Sequence, residues 1–234
     1  IEPVTGLDTS RAVSSVSTLE AARRYLPSLL RAALITIVLS CVSMALAVCL
    51  GVAIASGRVY GPAFVRVTLT AYVELTRGTP VLLQLFVLYY GIATAIRLPA
   101  FVAAFLGLAL NYAAYESEIY RASLEAIGRG QLEAARTLGF TEWQILRLIR
   151  APQAFRLALA PMTNDFVALL KDSSLAYAIG VVELTNVGNR IQSATFQPIA
   201  TLTTVAITYL LLTTLVTQIS NAVEYRFDVE GRNR

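Results

Sequence analysis

Between Ala32 and Gly57 the chain carries no charged residue. That length exceeds the roughly 20 residues an α-helix needs to cross a hydrocarbon core. No other feature restricts the fold as much, because hydrocarbon offers no water to backbone N–H and C=O groups and a lone segment satisfies them only as a helix. A second charge-free run covers Ile191–Val223. Two shorter ones, Val81–Ile96 and a stretch reaching Tyr115, meet at the break Arg97–Pro99. A weaker apolar stretch, Leu157–Val182, is interrupted by Asp165, Lys171 and Asp172. Only 15% of the residues are charged, against about a quarter in soluble domains. The fold class expected is therefore an all-α membrane protein.

Five crossings follow, at about 29–56, 79–97, 99–120, 155–175 and 198–221. Gly61–Thr76 embeds Arg66 and Glu74 among apolar residues and is expected as a helix lying at the interface. Ala103 and Gly107 form a small-xxx-small pair that favours close helix packing, as at a dimer seam. Odd parity puts the termini on opposite sides. Arg58, Arg66 and Arg77 follow the first span; Arg121, Arg129, Arg136, Arg147, Arg150 and Arg156 follow the third; Arg226, Arg232 and Arg234 lie in the tail. All three groups share one side, which the positive-inside tendency makes cytoplasmic. The N-terminus is then outside, although Arg11, Arg23, Arg24 and Arg31 pull mildly the other way. The net charge of +4 reports topology and anionic lipid rather than nucleic acid.

Several chemistries are missing. There is no histidine, the commonest metal ligand and general base. Cys41 and Cys49 both fall in the first span and read as small apolar fillers, not a disulfide or metal site. No GxxxxGK[ST] phosphate loop is present, no nucleophile elbow and no metal-ligand cluster. The chain is expected to bind no cofactor and to catalyse nothing itself. It opens on Ile rather than Met, as a processed, trimmed or partial chain would, and its opening segment is too polar for the core of a signal peptide.

The loop at about 124–152 is charged and rich in alanine. Leu132–Leu138 favours a helix, Gly139 suits a left-handed stop, and Thr141 with Gln144 has capping-box spacing for a second helix. Pro152 is expected to end or kink that helix. Glu133 sits near the start of the first helix, where the macrodipole favours it. Ala134 and Ala135 leave room for another surface to approach. A loop packed only on itself fits these residues equally well.

"EAARTLGFTEWQILRLIRAP" resembles the signature loop of the permease subunits of bacterial ABC importers, with Glu133, Ala134, Ala135, Gly139, Ile149 and Pro152 matching. Ala151 stands where the pattern has Leu. "VELTRGTPVLLQLFVLYYG", "YESEIYRASLEAIGRGQLEAA" and "APQAFRLALAPMTNDFVALLKDSSLAYAIGVVEL" extend the likeness to the polar amino-acid branch (histidine, glutamine and arginine permeases). It covers residues 29–226 and leaves 1–28 as an N-terminal segment or linker and 227–234 as a cytoplasmic tail. The resemblance implies the type I importer transmembrane fold in the bacterial inner membrane. It implies that Glu133, Ala134, Ala135, Arg136, Leu138, Gly139, Ile149 and Pro152 couple to a cytoplasmic ABC ATPase dimer, which would hold ATP and Mg. A second permease copy or paralogue is implied too, as is an extracytoplasmic substrate-binding protein, separate or fused upstream. Arg77, Gly78, Thr79 and Pro80 match the branch and are expected to form a hinge near a gate.

Polar groups in hydrocarbon need a packing or pathway role. Gln84, Asn111, Tyr112, Tyr115, Glu116, Glu118, Asn164, Asp165, Lys171, Asp172, Ser173 and Ser174 are the candidates for a substrate path. Each also fits a helix-to-helix hydrogen bond or an ion pair, such as Lys171 with Asp165 or Asp172. An amino acid requires acceptors for its ammonium and donors for its carboxylate. Glu116 or Glu118 suits the first, and Lys171, Asn111 and Asn164 suit the second. Two acidic groups together would favour a basic substrate side chain. The function expected is ATP-driven import of a polar amino acid by alternating access. An ion-gradient-driven secondary transporter is the alternative, and a scaffold that transports nothing a further one; the importer-type loop disfavours an exporter.

Overall fold

The computed structural model describes residues 18–92 and 96–227. The segments 1–17 and 228–234 lie outside the described residues, and with them most of the expected N-terminal segment and tail, including Arg11, Arg232 and Arg234. Every regular element among the described residues is helical. α1 (Thr18–Tyr60) contains the first charge-free run. α2 (Ala63–Arg77) and α3 (Val81–Phe86) follow, the latter prolonged by a π turn over Val87–Gly91. Next come α4 (Ala100–Glu125), α5 (Arg129–Thr137) and α6 (Glu142–Ile145), the last running through a second π turn, Leu146–Arg150, into α7 (Ala151–Asp172). A 3-10 turn (Ser173–Ile179) leads to α8 (Leu184–Thr195), and α9 (Pro198–Phe227) closes the chain. The apolar stretches Tyr25–Tyr60 and Pro198–Ala222 are each long enough to cross a membrane.

α4 is the axis of the packing. It buries Ala103, Ala104, Gly107, Ala109, Ala113 and Ala114, and such small side chains let helix backbones approach where no water drives association. α4 comes close to α1, where a Cβ on Gly51 would lie 2.7 Å from Glu116 Cβ and 3.2 Å from the Ser117 nitrogen. Leu39, Ala104, Leu108 and Ile179 form one core cluster, and Ala47, Val73, Tyr112 and Leu169 form another. Ala103 and Gly107 are buried within the protomer, with Gly107 facing the Leu85 side chain of α3. The small-residue pair therefore seats α3 rather than making a dimer seam. Cys41 and Cys49 are unpaired and lie on the exposed face of α1, outside the packed core in which fillers would sit.

Two further expectations change. α2 does not lie flat at an interface. Val73 packs with Ile54, Tyr112 and Ala113, and the Tyr72 hydroxyl donates to the Leu110 carbonyl. α2 and α3 thus form one broken crossing beside α4, interrupted at Gly78–Pro80, with Arg66 and Glu74 on its exposed face. Pro152 does not end its helix. It falls in the first turn of α7, directly after the π turn that resets the register, so its missing N–H and its ring meet no standard i−4 partner. α8 is an element the sequence reading does not place, and it ends before the expected last crossing, 198–221, which α9 fills. Glu183 caps α8, fully buried, accepting from the N–H groups of Thr185 (2.8 Å) and Asn186 (2.7 Å) and from the Tyr209 hydroxyl (2.8 Å). A carboxylate there complements the positive end of the helix. Phe196, at φ 56°, then turns the chain into α9.

Candidate functional site

The break between α2 and α3 opens onto a cavity of about 520 Å³ lined by Arg77, Gly78, Thr79, Pro80, Asn111, Tyr112, Tyr115, Asp165 and Asp172. α4 contributes one wall and α7 the facing one. Gln84 holds the break in shape. Its Nε2 donates to the Thr76 carbonyl (2.8 Å) and to Thr79 Oγ1 (2.7 Å), while its Oε1 accepts from Asn111 Nδ2 (3.0 Å). These bonds supply partners for backbone groups that the interrupted helix leaves open. The cavity carries both signs of charge. The Arg77 guanidinium lies over the Tyr115 ring, 5.3 Å from its centroid, and makes no salt bridge among the described residues. Asp172 Oδ2 accepts from the Tyr112 hydroxyl (2.8 Å). Asp165 Oδ2 is buried without a hydrogen-bond partner. A buried carboxylate oxygen left open in this way is costly, and a ligand cation would satisfy it.

Of the residues expected on a substrate path, Asn111, Tyr112, Tyr115, Asp165 and Asp172 reach this cavity, together with all four residues of the expected hinge. The others do not. Glu118 pairs with Arg58 on α1 and with Arg121 (2.7 Å), so its charge ties α4 to α1. Glu116 is fully buried against Gly51, beside the Tyr120 hydroxyl, and does not line the cavity. Asn164 is exposed. Ser173 donates to the Leu170 carbonyl (2.7 Å). Lys171 forms no ion pair with Asp165 or Asp172 and, with Ser174, faces a separate 290 Å³ pocket beside Tyr209. Glu183 and α8 escape a reading by hydropathy; the sequence clue is the acidic residue placed just before Leu184-Thr185-Asn186.

The loop between α4 and α7 is a rigid two-helix knuckle. α5 starts at Arg129, a little earlier than expected, and ends in a Schellman motif: Phe140 N–H donates to the Ala135 carbonyl (3.1 Å) and Gly139 N–H to the Arg136 carbonyl (2.9 Å). Gly139 has φ +84°. α6 then opens with the expected capping box, Gln144 N–H to Thr141 Oγ1 (3.3 Å) and Thr141 N–H to Gln144 Oε1 (2.8 Å). Arg136 Nε bonds Glu142 Oε1 (2.7 Å) across the turn and holds that carboxyl below the usual range. Ala135 and Ile145 are buried, so Ala135 faces inward and Ala134 alone stays on the outer surface with Glu133. Leu138 is 76% exposed, an apolar tip on a polar loop that calls for a protein partner. Arg150 anchors the base, donating to the Tyr60 hydroxyl (3.1 Å) and the Leu124 carbonyl (3.0 Å).

Residues 47–229 match the family described as binding-protein-dependent transport system inner membrane components. The nopaline transport system permease protein of Agrobacterium fabrum is 34% identical over 220 residues, covering 89% of this chain and 91% of its own length. The glutamine transport system permease protein of Escherichia coli is 30% identical, over 87% of this chain and 94% of that one. A solved amino acid ABC transporter containing histidines superposes with a TM-score of 0.86 at 32% identity, covering 90% of this chain and 99% of its own. A methionine ABC transporter in an inward-facing conformation, 19% identical with a TM-score of 0.77, shares the fold.

Proposed function

The chain belongs to the binding-protein-dependent transport system inner membrane components, and we propose that it is the membrane-spanning permease subunit of an ATP-driven importer for a polar amino acid. One observation carries the reading of substrate. A guanidinium without an ion pair, Arg77, and a carboxylate with an unspent oxygen, Asp165, share one cavity. An amino acid brings the complement of each. Arg77 takes the substrate carboxylate, and Asp165, with Asp172, takes the ammonium. Two carboxylates against one guanidinium leave the cavity net negative, which favours a cationic side chain. The nopaline permease and the transporter with histidines are relatives in keeping with that choice.

Membership of the family brings an ATPase and a substrate-binding protein as partners. ATP and Mg belong on the ATPase, and this chain supplies binding and motion. The knuckle of α5 and α6 is the coupling element, with Glu133, Ala134 and Leu138 on its outer face. Arg150 joins the base of that knuckle to α1 and α4. Movement of a docked ATPase would therefore reach α7, which carries Asp165 and Asp172, as a rigid-body displacement. Two copies, or a copy and a paralogue, complete the path. Alternation between outward and inward states needs only that ATP bind the ATPase pair more tightly in one of them.

The test is uptake of labelled arginine, histidine and glutamine into vesicles holding the chain with its ATPase and binding protein. Uptake is expected to require ATP and to fall roughly 10- to 100-fold in Asp165→Asn and in Arg77→Gln, the cost of one charged hydrogen bond. Uptake that survives without ATP and collapses with an ionophore would replace this reading by ion-gradient transport.

A further inference from the structure

A second, larger groove of about 940 Å³ runs between α1, α4 and α7 below the knuckle. Its walls are apolar, with Val48, Val52, Leu124, Ala154, Phe155 and Met162 among them. Its mouth is not. Arg147 and Arg150 stand there with Trp143 and Tyr60. Arg147 makes no hydrogen bond or ion pair among the described residues. Arg150 Nε is enclosed without a partner, although the other guanidinium nitrogens are bonded. The acidic residue at the mouth, Glu142, is already paired with Arg136. The mouth therefore offers the guanidinium of Arg147 and the second N–H of each terminal nitrogen of Arg150, since Tyr60 and Leu124 take one apiece; the enclosed Nε of Arg150 lies out of a ligand's reach.

The dimensions fit a lipid. From Arg150 to Met162 on α7, and from Tyr60 to Val48 on α1, the lining runs about 18 Å at 1.5 Å per residue. One leaflet contributes about 15 Å of hydrocarbon. Tryptophan and tyrosine at the polar end occupy the level at which aromatic side chains meet headgroups. The arginine distribution puts this end on the cytoplasmic side, where anionic lipids are held by basic pockets between helices.

We propose that the groove holds one anionic phospholipid of the inner leaflet, its phosphate between Arg147 and Arg150 and an acyl chain along α1 and α7. The lipid would fill the space between the base of the knuckle and the spans it moves, so that the annulus becomes part of the coupling joint. A neutral lipid satisfies the walls and not the mouth; a phosphodiester accepts from both arginines.

Trp143 is the only tryptophan of the chain and it stands at the mouth, which provides the assay. The permease with its ATPase is reconstituted in phosphatidylcholine vesicles containing increasing fractions of brominated phosphatidylglycerol or brominated phosphatidylcholine. The Trp143 signal is the difference between the natural chain and Trp143→Phe. Phosphatidylglycerol is expected to quench at a fraction at least tenfold below phosphatidylcholine. Arg147→Gln is expected to move the phosphatidylglycerol curve roughly fivefold towards the other, the share of one arginine. Val52→Phe, which fills the groove and leaves both arginines, is expected to remove the saturable component. Coincident curves for the natural chain would overturn the proposal. So would an unchanged curve in Val52→Phe, or an absence of quenching by either lipid, as when a second copy covers the groove. None of these outcomes bears on amino-acid uptake, so the two readings fail separately.

Discussion

Gly139 and Gly130 permit the reasoning about the knuckle to be tested with a single methyl group. At either position an added Cβ would have no atom within 4 Å, so steric crowding drops out of the comparison. The backbone differs: Gly139 sits at φ +84°, and Gly130 lies inside α5. An L-residue in the left-handed region costs about 1–2 kcal/mol, and Gly139→Ala incurs that cost with no compensation. Alanine in a helix is better than glycine by about 1 kcal/mol, so Gly130→Ala should be neutral or favourable. The penalty falls on a loop exposed to solvent, so it should leave the spans intact and lower the fraction of knuckle that is competent to dock. At about 1.4 kcal/mol per tenfold, the affinity for the ATPase subunit should fall roughly 5- to 30-fold. Asparagine tolerates the left-handed region better, and Gly139→Asn should lie between the two. The measurement is titration of purified ATPase onto the permease in nanodiscs, with thermal unfolding as the control. Equal affinity for Gly139→Ala and the natural chain, with Gly130→Ala behaving alike, would refute the claim that the Schellman turn sets the docking geometry.

Two further outcomes test the interior. Gly51→Ala should destabilise the protein by about 1–3 kcal/mol, because its Cβ would meet Glu116 Cβ and the Ser117 backbone, neither of which can rotate away; Gly107→Ala, which meets only the end of the Leu85 side chain, should cost less, and the order of unfolding temperatures in detergent decides it. Glu183→Gln should cost about 1–3 kcal/mol, since an amide nitrogen would face donors that now share the carboxylate; hydrogen exchange confined to residues 184–195 should accelerate, and protection equal to that of the natural chain would show that the cap contributes little.

What was legible in the sequence was what local chemistry decides. Charge-free runs identify spans because hydrocarbon leaves the backbone no other option. The Schellman glycine and the capping box were readable because each motif closes within a few residues. The second crossing was not, because helical pattern alone assigned α2 to an interface. Its amphipathicity is real, yet its exposed polar side is the face that a broken crossing presents away from α1 and α4, and only the contacts of Tyr72 and Val73 with α4 reveal that. Pro152 leaves its helix unbroken for a related reason. The rule that proline interrupts a helix holds for a regular i−4 ladder, and the π turn immediately before it removes that condition.

The carboxylates show where a linear reading stops. Glu116 and Glu118 are two apart on one helix, so they leave α4 in nearly opposite directions, and the sequence offers both for the same task. Their fates are set by partners distant in the chain. Arg58, 60 residues earlier, claims Glu118, and the bare backbone of Gly51 admits Glu116 to the interior. The acids that reach the cavity are Asp165 and Asp172, both on α7, which the sequence also allowed as ion-pair partners of Lys171. That pairing would have neutralised the cavity. Lys171 instead faces the pocket beside Tyr209, leaving Asp165 with a buried oxygen to satisfy. Placing one lysine on the far side of α7 thus leaves the cavity with the unmatched negative charge on which the proposed recognition of a cationic substrate depends.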